Sequence, residues 1–241
     1  MMIARLAILV VMAAAPAAAE QITSATYSGE TTRYPHGALG DPVEHDSLTV
    51  TTDQGRSLTL RWSDQIVFED TAPRLADLDG DGAPEVITVE SHESYGARLA
   101  IYYLYKDALG LAAATPFIGQ RFRWLSVIGA ADLDGDGKTE IAYIDRPHLA
   151  KTLRIWRYET TNNKATLTPV ADLKGLTNHQ IGWDYILGGI RACGGMPEII
   201  TADADWTQIR STTLSVETLR AKSIAPYAGP KSIQGALDCT P

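Results

Sequence analysis

Carboxylate side chains crowd into two short stretches of this sequence. The first, ADLDGDGAPE, spans residues 76–85, and the second, ADLDGDGKTE, spans residues 131–140. Each stretch places acids at positions 1, 3, 5 and 9 of a nine-residue loop, and like charges this close destabilise one another unless a cation lies among them. Calcium accepts about six to eight oxygen ligands and tolerates irregular geometry. The spacing therefore predicts two calcium ions, one in each loop.

A backbone carbonyl at position 7 completes each predicted ligand set. In the first loop the predicted ligands are Asp77, Asp79, Asp81, Glu85 and the carbonyl of Ala83. In the second loop they are Asp132, Asp134, Asp136, Glu140 and the carbonyl of Lys138. An EF-hand needs a glutamate at position 12, where this chain has Thr88 and Tyr143 in apolar, strand-like runs. We therefore expect strand–loop–strand sites; the alternative is a pair of acidic turns that hold no metal.

The two loops belong to a longer repeat. Asp77 and Asp132 are 55 residues apart, and Glu198 follows Glu140 by 58 residues. The third copy keeps the strand but has lost the other acids, whose places are taken by Ile190, Ala192 and Gly194. Short β-rich runs alternate with polar turns between the copies, and we expect no amphipathic helix after residue 20. Room for about four strands in each unit is typical of a propeller blade.

The predicted fold class is therefore all-β, a small β-propeller of about four four-stranded blades. Residues 231–239 resemble the opening strand of a unit, whereas residues 20–72 contain strand-like runs that lack one. We expect the C-terminal strand to pair with the N-terminal blade and close the ring, which removes exposed sheet edges. An open β-solenoid or a sandwich is the alternative.

The N-terminal sequence predicts export. Residues 1–19 have the layout of a signal peptide, with a basic residue, a short apolar stretch and a small-residue cleavage site. We expect residues 20–241 to form the mature domain, with no membrane span, in the periplasm or outside the cell; an uncleaved anchor is the alternative. In an oxidising compartment the only two cysteines, Cys193 and Cys239, are expected to form a disulfide that locks the ring.

The charge pattern argues against a nucleic-acid partner. The net charge is −8, and the two loops hold eight of the 29 acidic residues. The remaining acids equal the 21 lysines and arginines in number, and no basic stripe is present. Nucleic-acid binding therefore has little electrostatic support.

Three histidines lie in turn-like segments that a propeller would bring to one mouth. One hypothesis is that they converge in a ligand site with two arginines and a tryptophan. The predicted residues are His36, Arg74, Arg123, Trp124, His148 and His179. Hydrogen bonding of the histidines to loop backbone is the alternative. No HExxH or GxSxG sequence is present, so the sequence assigns no catalytic residue.

The loop sequences DLDGDGAPEVITV (77–89) and DLDGDGKTEIAYI (132–144) resemble FG-GAP and VCBS repeats, the calcium-loop propeller blades also found in integrin α-subunits. Other segments resemble exported bacterial proteins that contain VCBS repeats: HGALGD (36–41), FEDTAPRLADLDGDG (68–82), RWLSVIGAADLDGDG (123–137), RPHLAKTLRIW (146–156), LTNHQIG (176–182) and TADADW (201–206). The resemblance implies a propeller and assigns the calcium ligands to the acids named above. It departs from the integrin form in its decayed third copy and in having four units instead of seven.

Three classes of function remain open on sequence alone. The first is a calcium-binding propeller that binds a protein or glycan partner. The second is a periplasmic hydrolase or lyase with a histidine-lined site at the mouth of the propeller. The third is a structural subunit whose copies assemble with one another. A concave pocket of histidines, arginines and acids would favour an enzyme, and a large apolar patch would favour assembly.

Overall fold

The computed structural model describes residues 20–162 and 164–239. Within these residues the chain forms 17 strands, paired antiparallel throughout, and one α-helix. The predicted all-β class is confirmed. None of the described residues belongs to a helix with the length and apolar character needed to cross a membrane. The predicted signal peptide, residues 1–19, lies outside the described part of the chain.

An N-terminal sheet is built around one central strand. Its members are β1 (Ile22–Thr31), β2 (Glu44–Thr52) and β3 (Ser57–Arg61), and β4 (Ile66–Phe68) connects it to the next unit. Val50 of β2 lies between Ala25 of β1 and Leu58 of β3. Because Leu48 and Val50 alternate with threonines along β2, one face of the sheet is buried and the other is polar.

Three four-stranded units follow, each a meander of neighbouring strands, and β4 joins the first unit to the N-terminal strands in one eight-stranded sheet. The first contains β5 (Arg74–Ala76), β6 (Glu85–His92), β7 (Gly96–Tyr105) and β8 (Ala108–Ala114). The second contains β9 (Leu125–Ala131), β10 (Thr139–Asp145), β11 (Thr152–Thr161) and β12 (Lys164–Lys174). The third, after the short strand β13 (Leu176–Thr177), contains β14 (Gly189–Arg191), β15 (Glu198–Asp203), β16 (Gln208–Ser215) and β17 (Thr218–Pro226). The units reproduce the sequence repeat, since Glu85, Glu140 and Glu198 lie at equivalent strand starts.

The opening strand is split in two of the three units. In the first unit, β4 and β5 pair with opposite ends of β6, and residues 69–73 leave the sheet between them. In the third unit, β13 and β14 pair with opposite ends of β15, and residues 178–188 leave the sheet. In the second unit β9 is continuous. The two excursions carry polar and aromatic side chains out of the sheets toward neighbouring loops.

Successive sheets pack face to face, because alternate residues of a strand point to opposite sides. The strands that follow the three loops, β6, β10 and β15, show this alternation in their first residues. The side chains that pack against the preceding sheet are Val86, Ile141 and Ile199, and those that pack against the following element are Ile87, Ala142 and Ile200. The core is therefore a series of apolar layers between sheets.

The last described element is a helix, which corrects the expected closing strand. The helix α1 (Pro230–Leu237) starts with proline, a favoured first residue. Its apolar residues Ile233, Ala236 and Leu237 recur at intervals of three and four, which is helical spacing, and they pack on the outer face of the third unit. The expectations that residues 231–239 complete an N-terminal blade and that no helix follows residue 20 are both wrong.

Candidate functional site

The first acidic loop is folded by hydrogen bonds from its own backbone. Asp77 accepts from the N–H groups of Gly80 at 2.8 Å and Gly82 at 3.0 Å. Both glycines have positive φ angles, 78° and 89°, a conformation in which a side chain would be strained. Glu85, at the start of β6, accepts from the N–H of Leu78 at 2.9 Å. These bonds draw the ends of the loop together around its carboxylates.

The second acidic loop has the same geometry. Asp132 accepts from the N–H groups of Gly135 at 2.7 Å and Gly137 at 3.0 Å. Glu140 accepts from the N–H of Leu133 at 2.9 Å. Because the equivalent bonds recur in a different sheet, the sequence DLDGDGxxE encodes this loop shape locally.

Both loops gather enough oxygen atoms to suit a hard cation. Carboxylate oxygens lie within 4.8 Å of one another in two groups: Asp77, Asp79 and Glu85 in the first loop, and Asp132, Asp134 and Asp136 in the second. The Lys138 ammonium group lies 2.6 Å from Glu159 and so pairs with a carboxylate outside the predicted ligand set. An oxygen-only donor set of this kind fits calcium better than a transition metal.

A basic side chain enters the second loop. Arg157 on β11 pairs with Glu140 across the sheet. Its guanidinium lies 2.6 Å from Glu140, 2.8 Å from Asp134 and 3.1 Å from Asp136. Three of the four predicted carboxylate ligands therefore already contact a cation. The loop sequence gives no indication of Arg157. Its contact with the loop follows only from the strand register, which places it opposite Glu140.

The first loop has a tyrosine at the corresponding position. Val86 pairs with Tyr102, so Tyr103 lies opposite Glu85. Burial, together with the neighbouring aspartates, raises the pKa of Glu85 to about 7. Burial also raises the pKa of Glu140, but Arg157 opposes that rise. The carboxylates of the first loop thus lack the internal counter-charge that the second loop has.

The third loop has replaced its acids with a local ion pair. Arg191, in the place of the leucine of the other loops, donates to Glu198 at 3.0 and 2.7 Å, and Lys222 lies 3.4 Å from the same carboxylate. Cys193 of this loop is bonded to Cys239, with 5.8 Å between their Cα atoms. The predicted disulfide is confirmed, but it joins the loop to the residues after α1 and not two opening strands.

Comparison with known families finds a match over the part of the chain that holds both acidic loops. The model of the FG-GAP-like repeat matches residues 77–143, from the first acid of one loop to the strand after the other. Residues 77–143 are an FG-GAP-like repeat. No curated protein matches the chain. The FG-GAP-like repeat contains both intact acidic loops and excludes the decayed third copy.

A second candidate site lies outside the acidic loops of the FG-GAP-like repeat. It is a cavity of about 210 Å³ between loops of different sheets, which we call the histidine pocket. Four of the six predicted ligand-site residues line it: His36, Arg123, Trp124 and His148. His179 contacts the pocket through His148, with 2.8 Å between their ring nitrogens. The predicted convergence of the three turn histidines is therefore present.

The sixth predicted residue, Arg74, does not line this pocket. Arg74 lies 2.5 Å from the buried carboxylate of Asp70, an ion pair within the excursion before β5. Placement of Arg74 in the ligand site was wrong because residues 69–73 leave the sheet, so Arg74 is held by its own loop. The residue from this excursion that does reach the pocket wall is Glu69, which contacts His36.

His36 is held by a buried carboxylate. Its Nδ1 donates to Glu69 Oε1 at 2.5 Å, and Glu69 is fully buried. The other carboxylate oxygen accepts from the Ser91 hydroxyl, while the Glu69 backbone carbonyl accepts from Trp124 Nε1 at 2.7 Å. The pair fixes the orientation of the His36 ring and leaves its Nε2 without a hydrogen bond to the described residues.

His148 and His179 form a chain with a defined direction. His179 Nε2 lies 2.9 Å from the Trp183 carbonyl, which can only accept, so this nitrogen carries the proton. Burial, with His179 and His36 nearby, lowers the pKa of His148 to about 4, and burial lowers the pKa of His179. Both rings are therefore neutral near pH 7, so His148 donates to His179 and keeps a lone pair on Nδ1.

Two pocket residues have backbone torsions that only the structure reveals. Phe122 and Arg146 have φ angles of 56° and 47°, which are uncommon for side chains other than glycine. Phe122 stacks on His36 with 5.2 Å between ring centroids. Non-glycine residues in this region cost about 1–3 kcal/mol each and cluster at functional sites. Sequence patterns carry no signal for these torsions.

Proposed function

We propose that this chain is an exported, calcium-stabilised β-propeller that binds a partner molecule through the histidine pocket. The observation that carries the proposal is the convergence of His36, from the loop after β1, with Trp124 and His148 of the second unit in one cavity. Loops held by a rigid scaffold are where binding residues concentrate. The partner class is a protein or a glycan that presents a small group to the cavity.

The propeller arrangement is supported by contacts between the first and last sheets. The Gly182 N–H, in the excursion of the third unit, donates to the Ala38 carbonyl at 3.1 Å. Ala38 and Ile186 share one apolar cluster with Trp124 of the second unit. We propose that the N-terminal sheet and the three units are four blades around this cluster, with residues 36–41 as its plug and α1 in place of a closing strand.

Calcium is proposed as a structural ion, with a tighter site in the first loop than in the second. The first loop holds its carboxylates without a cation from the described residues, whereas Arg157 must be displaced or share its carboxylates in the second. Binding to the folded state alone stabilises it by about 2.7 kcal/mol when free calcium is roughly a hundred times the dissociation constant.

Export to the periplasm or beyond the cell is proposed from two features. The sequence of residues 1–19 has the layout of a signal peptide. The Cys193–Cys239 disulfide is typical of proteins that fold in oxidising compartments. The resemblance to exported VCBS proteins covers nearly all of residues 20–241. We therefore propose that these residues form the exported domain.

Binding to the histidine pocket can be tested with a glycan array and a peptide library in the presence of calcium. Any ligand found is then measured against the His148→Ala variant. His92→Ala serves as a matched control, because His92 stacks with Tyr95 at 4.7 Å in another loop. We expect His148→Ala to weaken binding at least tenfold and His92→Ala to leave it unchanged. Equal binding by both variants would contradict the pocket as the site.

Catalysis is a second candidate function, favoured by the His36–Glu69 pair. A carboxylate that orients an imidazole is the arrangement of many general bases, and a periplasmic hydrolase or lyase would use His36 in this way. The His36→Gln variant separates the two functions. An enzyme would bind its substrate but lose turnover by roughly a hundredfold or more, whereas a binding module would show no turnover in either form.

A further inference from the structure

Arg123 is a half-buried cation without an anionic partner in the described residues. Its guanidinium donates to the Phe122 carbonyl at 2.9 Å and lines the histidine pocket. Its neighbour in the pocket, Arg146, instead lies 2.8 Å from Asp145. A guanidinium removed from water is stable when an anion compensates it. The pocket therefore offers one uncompensated positive charge to a ligand.

A second, exposed arginine lies next to Phe122, which itself lines the pocket. Arg121 lies 4.4 Å from the centroid of the Phe122 ring and forms no ion pair with any described residue. The left-handed torsion of Phe122, φ 56°, separates the two arginines and places the ring on His36. In a chain of net charge −8, this tripeptide is a local concentration of positive charge at the pocket.

The carboxylates behind the pocket already have hydrogen-bond partners of their own. Glu69 accepts from His36 and Ser91. Asp145 accepts from Arg146 and also from Arg154 at 2.9 Å. Neither carboxylate forms an ion pair with Arg123, so the Arg123 guanidinium can pair with an incoming anion.

Two other residues of the pocket lining are apolar and exposed. Ile181 is 71% exposed and Leu149 is 64% exposed, although both line the cavity. Burial of apolar ligand surface against these side chains would stabilise the bound state. A ligand that satisfies both Arg123 and these side chains has an anionic head and an aliphatic part.

We propose that the histidine pocket binds a small carboxylate that carries a short aliphatic chain, with the carboxylate on Arg123 and the chain on Ile181 and Leu149. A planar guanidinium fork matches one carboxylate in a bidentate pair. The cavity, at about 210 Å³, is smaller than the roughly 300–1,000 Å³ of pockets for drug-sized ligands. This inference deepens the proposed function, because it rests on the pocket being the ligand site.

Two sources present this chemistry, a free short-chain fatty acid and the C-terminus of a peptide that ends in an aliphatic residue. The probes are hexanoate for the first source and N-acetyl-leucine for the second. Hexanol and hexylamine keep the chain and replace the charge. Calorimetric titration in calcium measures each affinity. Tighter binding of N-acetyl-leucine than of hexanoate assigns the peptide source, and the reverse order assigns the free acid.

The expected result is binding of at least one carboxylate at least tenfold tighter than hexanol and hexylamine, and a tenfold loss in Arg123→Gln and in Ile181→Ser. Arg220→Gln, at an exposed arginine of β17, is the matched control and should bind as the unmodified protein does. Equal binding of hexanol, or unchanged binding by Arg123→Gln, would overturn the inference. If a ligand from the library screen needs His148 while no carboxylate probe binds, this inference fails and the proposed function stands.

Discussion

Arg157 Nε lies 2.6 Å from Glu140 Oε1, directly across the strand pair from the last acid of the second loop. The equivalent acid of the first loop, Glu85, has Tyr103 opposite it. Two loops with nearly the same nine-residue sequence thus differ in the residue that a neighbouring strand places opposite their last acid. Among the described residues, the carboxylates of the first loop therefore form no ion pair with a basic side chain, whereas those of the second loop contact Arg157.

Calcium should bind the two loops with unequal affinity. We expect titration calorimetry to resolve a tight and a weak site, because a cation must compete with Arg157 only in the second loop. Asp79→Ala should remove the tight site and leave the weak one. Lys138→Ala is the control, since it loses only an exposed, solvent-screened ion pair with Glu159. A single transition of two equal sites would contradict the asymmetry.

Removal of the Arg157 charge should have opposite effects with and without calcium. In chelator, Arg157→Gln leaves Asp134, Asp136 and Glu140 uncompensated, which should lower the free energy of unfolding by about 2–4 kcal/mol. In calcium, the second site should tighten by roughly tenfold or more, because no guanidinium competes. Arg154, on the same strand, pairs with Asp145 and Asp172 instead. The control variant Arg154→Gln should therefore not change calcium affinity. Denaturant titration in both conditions checks the result.

Loss of the disulfide should loosen α1 before the sheets. The bond closes a loop of 46 residues, so its removal in the Cys193→Ser, Cys239→Ser double variant should cost at most about 4 kcal/mol in the chain-entropy model. Hydrogen exchange should accelerate first in residues 230–237, because the bond holds the end of the helix. Uniform acceleration over all sheets would show instead that the helix and the sheets unfold together.

Glu44 should make the protein less stable as the pH rises. It is 2% exposed, and burial near Glu69, Asp41 and Asp70 raises its pKa to about 9 from an ordinary value of 4.5. The folded state then holds a proton that the unfolded state has released, so its stabilising effect is full below pH 4.5 and is lost between pH 4.5 and 9. Glu44→Gln should therefore be more stable than the unmodified protein by about 1–3 kcal/mol at pH 8.

The Glu44 comparison needs two pH values and a surface control. At pH 4 the difference between Glu44→Gln and the unmodified protein should nearly vanish, since Glu44 is protonated in both states. Glu30→Gln changes an exposed residue of β1 and should follow the unmodified curve at both values. A Glu44→Gln difference that does not depend on pH would mean that packing, and not the proton, determines its stability.

The sequence predicted the acidic loops and the repeat well because both are encoded locally. Asp77 and Asp132 are bonded to glycines three and five residues away, so neighbours in the chain define the loop. Strand periodicity likewise placed β7, β11 and β12. Histidine convergence was also predicted, since the loops that carry the histidines follow from the order of the units.

What the sequence could not predict depends on long-range pairing or on backbone torsion. Arg157 meets Glu140 only through strand register, and Glu69 meets His36 only because residues 69–73 leave the sheet. The same excursion of residues 69–73 explains why Arg74 was wrongly placed in the ligand site, since the sequence does not show where the chain leaves the sheet. Residues 231–239 were taken as a strand from their likeness to residues 126–134, although Ile233 and Ala236 already have helical spacing.

The split opening strand of the third unit separates the residues that pair in the sheet from those of the segment 178–188, which reach the pocket. β13 and β14 both pair with β15, so strand pairing holds the two ends of the segment 178–188. Those residues reach the histidine pocket through Ile181 and His179 without contributing to the sheet. An exchange of this segment would change what the pocket recognises while the supporting strands keep their register, as hypervariable loops do on a constant scaffold. Selection can therefore act on recognition and on folding through different residues.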